Sequence, residues 1–282
     1  MLWLLVLVAL VIFVKAYRNT FHPALNRIHI PLSSDGLNKE SEPIRILHLS
    51  DLHMENISIS AEQIVKDLKH EPIDLLAITG DFLDRKRSIP RAIAFVETLQ
   101  KLRPTLGTFV VFGNHDYVLP PNQLAYLKVG LERIGCQILC NETKTVMYGD
   151  TKLHIIGVDD YHTRRSNLEK SYQHVTEDGI RLILTHDPTI VLKMKQYDYD
   201  YMLAGHFHGG QIHYPKAFHL WKMGKLARMN IVKGLHYRDN RPFYISEGLG
   251  QTGLNIRLRS RPEITIHTLA TTNETAPSLA LD

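Results

Sequence analysis

The fold of this chain is decided by the stretch Ile44-Arg45-Ile46-Leu47-His48-Leu49-Ser50-Asp51-Leu52-His53. Its first six residues are mostly Ile and Leu, and an apolar run of this length predicts a buried β-strand. A carboxylate and an imidazole follow the run directly, two residues apart. Because alternate residues of an extended segment face the same side, we expect Asp51 and His53 to point into one pocket.

The same pattern of apolar runs continues along the chain. Five more runs predict buried strands: Asp74–Ile78, Thr108–Phe112, Leu153–Val158, Arg181–Leu184 and Tyr201–Ala204. Helical segments lie between them, one opened by the capping box of Ser60 and Gln63 and another from about Asn122 to Ile134. Alternating strands and helices predict an α/β fold with a largely parallel central sheet. Shorter strand-like pieces between Ile212 and Leu269 are compatible with a second sheet.

Polar clusters follow five of these six strands. They are Ser50-Asp51-Leu52-His53, Gly80-Asp81-Phe82-Leu83-Asp84, Gly113-Asn114-His115-Asp116, Thr185-His186-Asp187-Pro188 and Gly205-His206-Phe207-His208-Gly209-Gly210. In open α/β sheets the C-terminal strand ends meet along one edge, where ligands bind, so we expect the clusters to converge. Asp, Asn and His donors without a thiolate suit Mn²⁺, Fe, Zn²⁺ or a similar metal. A metal pair about 4 Å apart that shares a bridging carboxylate accounts for the number of ligands, which is too large for one ion.

In this order the clusters resemble the motifs of the calcineurin-like metallophosphoesterases: Asp-x-His, Gly-Asp-x-x-Asp, Gly-Asn-His-Asp, His and Gly-His-x-His. The resemblance covers about Ile44 to Leu269. Five motifs in a fixed order are far more specific than any one of them alone. The resemblance implies an α/β/β/α sandwich with the metal site at the C-terminal strand ends. It also implies a dinuclear metal-dependent hydrolase of phosphoesters, in which the metals bind phosphate oxygens and activate water.

The resemblance implies seven metal ligands in two sets that share one carboxylate. The ligands are Asp51, His53 and His208 for one ion, Asn114, His186 and His206 for the other, and Asp81 as the bridge. Two divalent ions per chain are therefore expected, with Mn²⁺ as the first expectation and Fe, Zn²⁺ or another transition metal as alternatives.

Two further motif residues are implied to act on the substrate rather than to bind metal. His115 would protonate the leaving oxygen, and Asp84 would orient its ring and favour its protonated form. Arg85 follows Asp84 directly and matches a phosphate-binding arginine of the phosphatase branch of the superfamily. Outside the motifs, His213 is a candidate substrate contact.

Other short matches are similar to a bacterial subgroup with N-terminal membrane segments, which includes the chlamydial-type hydrolase of UDP-2,3-diacylglucosamine. The matches are Gly209-Gly210-Gln211, Val232-Lys233-Gly234-Leu235, Gly248-Leu249-Gly250 and Arg261-Pro262-Glu263-Ile264. We therefore expect a phosphodiesterase or pyrophosphatase that acts near a membrane, on a phosphoester linked to a lipid or a nucleotide-sugar-lipid. A phosphomonoesterase with the same metals is an alternative. A non-catalytic scaffold is the third alternative, but a scaffold is expected to have lost motif residues, and none is substituted here.

The first fourteen residues are continuously apolar and are followed by Lys15, Arg18 and Arg27. We expect residues 1–17 to be a membrane segment, 18–43 a linker with an edge strand at Asn26–Leu32, 44–269 the catalytic domain and 270–282 an unstructured tail. Basic residues on the C-terminal side of the segment favour a catalytic domain on the cytoplasmic face of the cell membrane. One helix with so few charges leaves the exported side as the alternative.

Composition limits the remaining functions. Lys and Arg number 33 against 29 Asp and Glu, and without a basic run this small excess indicates no nucleic-acid partner. Cys136 and Cys140 are the only cysteines, and their spacing predicts two core side chains rather than a disulfide or a metal knuckle.

Residues beside the motifs carry weaker signals. Among the sixteen histidines, His48 and His154 are expected inside strands. Four others are expected at the surface: His162, His174, His219 and His236. Asp159 and Asp160 follow a strand and would face the pocket or form an acidic loop. The apolar residues between Leu220 and Met229 suggest a lid or a membrane-facing patch.

Overall fold

The computed structural model describes residues 1–32, 42–213 and 216–271. Most of the predicted loop at Ser33–Pro43 and nearly all of the predicted tail at 270–282 therefore lie outside the described residues. The strands are β1 (Ala24–Leu32), β2 (Ile44–Leu49), β3 (Leu75–Thr79), β4 (Gly107–Val111), β5 (Cys136–Ile138), β6 (Glu142–Tyr148), β7 (Thr151–Gly157), β8 (Ile180–Leu184), β9 (Tyr201–Ala204), β10 (Gly234–Arg238), β11 (Arg241–Ile245) and β12 (Glu263–Thr271). The α-helices are α1 (Leu2–Asn19), α2 (Ala61–Leu68), α3 (Ile89–Leu99), α4 (Pro121–Arg133), α5 (Leu168–Tyr172) and α6 (Lys225–Arg228). Short 3₁₀ turns are Lys86–Ser88, Gln100–Leu102, Asp116–Val118, Pro188–Lys193, His208–Gly210 and Phe218–Met223.

The described strands form two six-stranded sheets. The first has the order β1-β12-β2-β3-β4-β5, and the second has the order β10-β11-β9-β8-β7-β6. The strands β2, β3, β4 and β5 run parallel, as do β7, β8, β9 and β11. A second sheet was expected from the short strands between Ile212 and Leu269, and it also contains three of the six strands predicted for the central sheet, β7, β8 and β9. Hydrophobic patterns mark strands but do not specify which strands pair.

Three apolar layers explain the stacking of the sheets. Ile46 and Leu75 of the first sheet and Leu182 of the second share one core between the sheets. Alternate residues such as Leu47 turn the other way and pack against α2, α3 and α4. The outer face of the second sheet packs with Ile183 against the short helical turns that follow β8 and β9. The α/β/β/α sandwich implied by the resemblance is confirmed.

Local signals account for the predicted helices. The Ser60 hydroxyl accepts a hydrogen bond from the Gln63 amide at the start of α2, as the capping box predicted. Helix α4 lies within a residue of its predicted bounds and begins with Pro121 in the first turn, where a proline lacks no needed donor. Cys136 is buried and Cys140 half-buried, and both thiols are free, as expected.

Helix α1 and strand β1 lie at the N-terminal end of the chain. The 18 residues of α1 span about 27 Å, close to the roughly 30 Å of a bilayer core. The helix is long and apolar enough to cross a membrane, and its side chains from Leu2 to Val14 are exposed. Only Ala16 of this helix is buried. Beyond it, β1 forms the edge of the first sheet and pairs with β12 along its whole length.

Candidate metal centre

The five polar clusters of the sequence meet where the parallel strands of both sheets end. The backbone amide of Asp51 donates to Gly80 O at 2.9 Å, so the loops after β2 and β3 are joined within the first sheet. The amide of His206 donates to both carboxylate oxygens of Asp51 at 3.1 Å, which joins the loop after β9 of the second sheet to the first. The amide of Gly205 donates to His186 O at 3.0 Å. The convergence that strand ends predict is therefore found between two sheets rather than within one.

Left-handed backbone is concentrated at the predicted ligands. Five of the seven have positive φ angles: Asp51 (51°), His53 (37°), Asp81 (55°), His206 (80°) and His208 (51°). Residues other than glycine occupy this region at an energetic cost of about 1–3 kcal/mol each, and such strain is typical of functional sites. Neighbouring positions are glycine because the ligands are packed so closely that a side chain would not fit. A Cβ atom on Gly205 would overlap the carboxylate of Asp51.

The first set of ligands comprises Asp51, His53 and His208, all buried. His53 Nε2 lies 3.1 Å from His208 Nε2, and His208 Nε2 lies 3.4 Å from Asp51 Oδ1. The second nitrogen of each ring already has an oxygen partner. His53 Nδ1 lies 2.9 Å from Asp84 Oδ1, and His208 Nδ1 lies 3.2 Å from Gly250 O. Because those nitrogens carry the protons, the two Nε2 lone pairs face each other.

The second set is centred on His186. Its Nε2 atom lies 3.1 Å from Asp81 Oδ2, 3.2 Å from His206 Nδ1 and 3.2 Å from Asn114 Oδ1. Its Nδ1 atom donates to Thr79 O at 2.7 Å, so Nε2 again presents a lone pair. Asp81 Oδ2 also lies 3.6 Å from His53 Nε2 of the first set. This carboxylate oxygen therefore stands between the two sets.

Both sets fit a divalent cation. The facing lone pairs of His53 and His208 at 3.1 Å repel one another unless a cation lies between them, and ring nitrogens of His186 and His206 lie 3.2 Å apart in the second set. Hydrogen bonds from the outer ring nitrogen to a carboxylate or carbonyl are the usual way in which proteins orient metal-bound histidines. The clusters are consistent with a dinuclear metal site, and the N and O donor chemistry suits a borderline transition metal.

His115 lies at the rim of the two sets, beside Asp84. Its Nδ1 atom is 2.7 Å from Asp84 Oδ1, and its side chain is 36% exposed. Partial burial lowers the pKa of His115, but the hydrogen bond to Asp84 and the charges of Asp81 and Asp84 outweigh burial and raise it to about 9. Burial raises the pKa of Asp84, whereas hydrogen bonds from His115 and His53 hold it well below its usual range. Both pKa shifts favour an imidazolium paired with a carboxylate.

Sequence reasoning missed supporting residues around these sets. The carboxylate of Asp116 is buried and accepts from the amides of Asp81 at 2.9 Å, Phe82 at 2.8 Å and Gly113 at 2.9 Å, which fixes the loop that carries Asp81. Its place in the Gly113–Asp116 motif was a signal for this function. Asp84 was expected on His115, but its contact with His53 was not foreseen.

The remaining candidates are less central. Arg85 is exposed, and its amide donates to Glu55 Oε1 at 2.9 Å. Arg85 is not one of the described residues that line the cleft above the two ligand sets. His213 is half-buried with Nδ1 3.1 Å from Gly209 O. Asp160 is fully buried, while Asp159 accepts a short hydrogen bond from the Tyr117 hydroxyl at 2.5 Å.

Three histidines outside the motifs also have defined places. His48 and His154 are buried in strands, as expected. His162 is exposed, as expected, yet its ring lies 5.3 Å from that of His206, a contact that sequence reasoning did not foresee.

A cleft of about 340 Å³ opens over the two sets. Its floor includes Asp81, Asn114 and His115. Its walls are largely apolar and include Ile212, Leu220, Met223 and Leu254. Leu254 is 66% exposed at the mouth, and nearby Trp221 is 58% exposed. The predicted apolar patch between Leu220 and Met229 is thus divided, because Leu220 faces the cleft and Trp221 faces solvent.

A second cleft of about 440 Å³ adjoins the first at Met223, which lines both. His162, Arg164 and Lys222 line it, with Asp187 as the acidic member. The two full positive charges outnumber the single carboxylate. The lining of this cleft is therefore complementary to an anionic group.

Comparisons with known proteins agree with this geometry. Residues 44–210 match the family model for calcineurin-like phosphoesterases. The chain is 54% identical over 271 residues to the metallophosphoesterase YkoQ of Bacillus subtilis (strain 168), which covers 95% of this chain and 99% of that protein. It is 27% identical over 228 residues to the phosphodiesterase YaeI of Escherichia coli (strain K12). That match covers 79% of this chain and 81% of YaeI. It is 26% identical over 257 residues to a Danio rerio transmembrane protein that has a metallophosphoesterase domain. That match covers 86% of this chain and 56% of the relative.

Proposed function

Because this chain belongs to the calcineurin-like phosphoesterase family and is a metal-dependent phosphoester hydrolase, we propose that it hydrolyses phosphodiesters at a membrane with a dinuclear metal centre. One observation carries the proposal. Two ligand sets share the Asp81 carboxylate, and a histidine held by a carboxylate stands at their rim.

The proposed ligands are those of the two sets. Asp51, His53 and His208 would hold one ion and Asn114, His186 and His206 the other, with the Asp81 carboxylate shared between the two sets. When bound, the metal pair binds the phosphoryl oxygens and acidifies a water for attack on phosphorus. Mn²⁺ is the proposed metal, because imidazole and carboxylate donors suit it and thiolates are absent from both described sets.

The chain's own groups control the leaving oxygen. His115 lines the cleft beside the ligand sets, where its proton would be available to the leaving oxygen of a bound phosphoester. Asp84 holds the ring through Nδ1, so Nε2 is the nitrogen that can present a proton to the substrate. The imidazolium form that the two carboxylates favour is the form that acts as an acid.

The first test is metal-dependent turnover of the full-length protein in detergent. We expect about two metal ions per chain and Mn²⁺-dependent hydrolysis of bis-p-nitrophenyl phosphate. Removal of metal with EDTA should abolish the reaction, and added Mn²⁺ should restore it. Assay of p-nitrophenyl phosphate alongside separates the alternatives: faster monoester cleavage would favour the phosphomonoesterase, and absence of both metal and turnover would contradict the proposal altogether.

The substrate proposed for the site is a lipid-linked phosphoester. Apolar walls beside the candidate metals and an exposed Leu254 at the mouth suit an acyl or isoprenoid group. Helix α1 supports a location at the cell membrane, and the basic residues after it support a cytoplasmic catalytic domain. YaeI is called a phosphodiesterase, which supports diesters over monoesters.

A Leu254→Ser variant tests the lipid part of the proposal. We expect the ratio of hydrolysis of a diacylglycerol-linked phosphodiester in vesicles to hydrolysis of bis-p-nitrophenyl phosphate to fall about tenfold, because loss of an apolar contact of this size amounts to roughly 1.5 kcal/mol. Val129→Ser is the matched control, since Val129 is 52% exposed on α4 and outside the cleft. An unchanged ratio in Leu254→Ser would argue against a lipid group in this cleft.

A further inference from the structure

Arg257 is fully buried, and among the described residues it is the largest side chain that is fully buried. The two terminal nitrogens of its guanidinium, which carry four N–H groups, lie within hydrogen-bond distance of five acceptors in loops around the candidate metal centre. The acceptors are His208 O at 2.7 Å, Glu247 O at 2.7 Å, Ser260 Oγ at 2.8 Å, Gly248 O at 3.0 Å and Gly250 O at 2.7 Å. A buried cation is costly without such partners, and the planar fork of arginine can bridge several carbonyls at fixed angles.

These acceptors belong to the backbone that positions the first ligand set. Gly250 O accepts from Arg257 and also from Nδ1 of His208, so the guanidinium fixes the carbonyl that orients this ring. The Gly250 amide donates to Asp51 O at 2.7 Å. Gly248 packs so closely on Asp51 that an added Cβ would lie 2.7 Å from the Asp51 Cβ. Arg257 therefore ties the loop of His208 to the loop that supports Asp51.

The backbone of Arg257 is bonded to the last turn of α1. Its amide donates to Ala16 O at 2.9 Å, and its carbonyl accepts from Nδ2 of Asn19 at 2.9 Å. The last four carbonyls of a helix lack hydrogen-bond donors within the helix. The amide of Arg257 supplies a donor for one of them, the carbonyl of Ala16. Ala16 and Thr20 are buried at this junction, whereas residues 2–14 of the same helix are exposed.

We propose that Arg257 is a positioning residue through which docking of the last turn of α1 sets the geometry of the Asp51, His53 and His208 set. The inference rests on the proposed function only in that this set binds a metal ion. With α1 docked, both backbone groups of Arg257 are held and its guanidinium keeps the His208 and Gly250 carbonyls in place. When the docking contacts are lost, the same carbonyls gain freedom and His208 is less well oriented for metal.

The test measures metal binding rather than turnover. Metal-free full-length protein in detergent is titrated with Mn²⁺, and binding is followed by calorimetry and by the electron paramagnetic resonance signal of free Mn²⁺. The Mn²⁺ binding step that is lost in the Asp51→Asn protein is assigned to the Asp51, His53 and His208 set. We expect Asn19→Ala to weaken that step about tenfold and Arg257→Lys to weaken it about a hundredfold, the range seen when groups that orient metal ligands are removed. The other binding step should be unchanged.

Arg261→Gln is the matched control. Arg261 donates from Nε to His22 O at 2.8 Å, so it also joins this segment to the turn after α1, but it is exposed and makes no hydrogen bond to the ligand loops within the described part of the chain. Both Mn²⁺ steps should keep their wild-type affinities in this variant. Thermal unfolding of each metal-free protein is recorded in parallel, and Asn19→Ala should unfold within a few degrees of wild type.

Two results would overturn the inference. One is unchanged Mn²⁺ affinity in both Asn19→Ala and Arg257→Lys. The other is an equal weakening of both binding steps that follows the loss of thermal stability, which would mean a purely structural arginine. Failure of wild type to bind a pair of metal ions would instead contradict the proposed function, and the two failures are therefore distinguishable.

Discussion

The Asp81→Asn protein is expected to lose its metal pair and to lose diester turnover by about three orders of magnitude. Asp81 Oδ2 lies 3.1 Å from His186 Nε2 and 3.6 Å from His53 Nε2, so its negative charge serves both ligand sets. Asparagine has nearly the same shape but no charge to bridge two cations. Stabilisation of the transition state by metal ions amounts to several kcal/mol, and each 1.36 kcal/mol is a factor of ten in rate.

The fold should survive this change, because Asp81 Oδ1 accepts from the His115 amide at 2.8 Å and an asparagine oxygen can accept the same bond. Metal content after dialysis is measured by mass spectrometry, together with turnover at saturating Mn²⁺. Asp74→Asn is the matched control at the opposite end of β3, where the Asp74 carboxylate accepts from the Arg45 amide at 2.8 Å. Retention of two metal ions and of turnover by Asp81→Asn would remove the basis for a bridging carboxylate.

The positions of the candidate ligands could be predicted because their signals are local. An apolar run such as Ile44–Leu49 marks a strand, and the polar residues after it mark the strand end, so Asp51 and His53 could be placed from ten consecutive residues. The same reasoning gave a central sheet and a second sheet from Ile212–Leu269, but it did not show that β7, β8 and β9 belong to the second. Strand β6 forms an edge of the second sheet beside β7, and it is exposed and polar, so it carries a weak strand signal.

The groups that orient the ligands could not be predicted, because several of them belong to the backbone. Thr79 O holds His186 and Gly250 O holds His208, and a carbonyl has no signature in the sequence. Arg257 stands in a loop among exposed and half-buried residues, and only the fold shows that it is buried. Asp84 was found through the resemblance, but its bond to His53 depends on how the loops after β2 and β3 meet.

The His115→Ala protein should keep its metals and lose activity in proportion to how poor the leaving group is. A general acid contributes about 10²- to 10⁴-fold, and its contribution is largest when the departing oxygen is strongly basic. We therefore expect a loss in that range for an alkyl phosphodiester and a much smaller loss for bis-p-nitrophenyl phosphate, whose leaving group needs no proton. The two substrates are compared on one preparation, with metal content measured in parallel.

The pH profile separates an acid from a residue that only shapes the site. Asp84 and Asp81 raise the pKa of His115, so in wild type the protonated form persists at neutral pH and hydrolysis of the alkyl diester should fall as pH rises through that pKa. Bound cations repel the proton, so the fall should occur below the value of about 9 that His115 has beside the two carboxylates alone. His115→Ala should lack this fall, because the group that titrates is gone. Full activity of His115→Ala on the alkyl diester, or an unchanged alkaline fall, would assign the proton to another group.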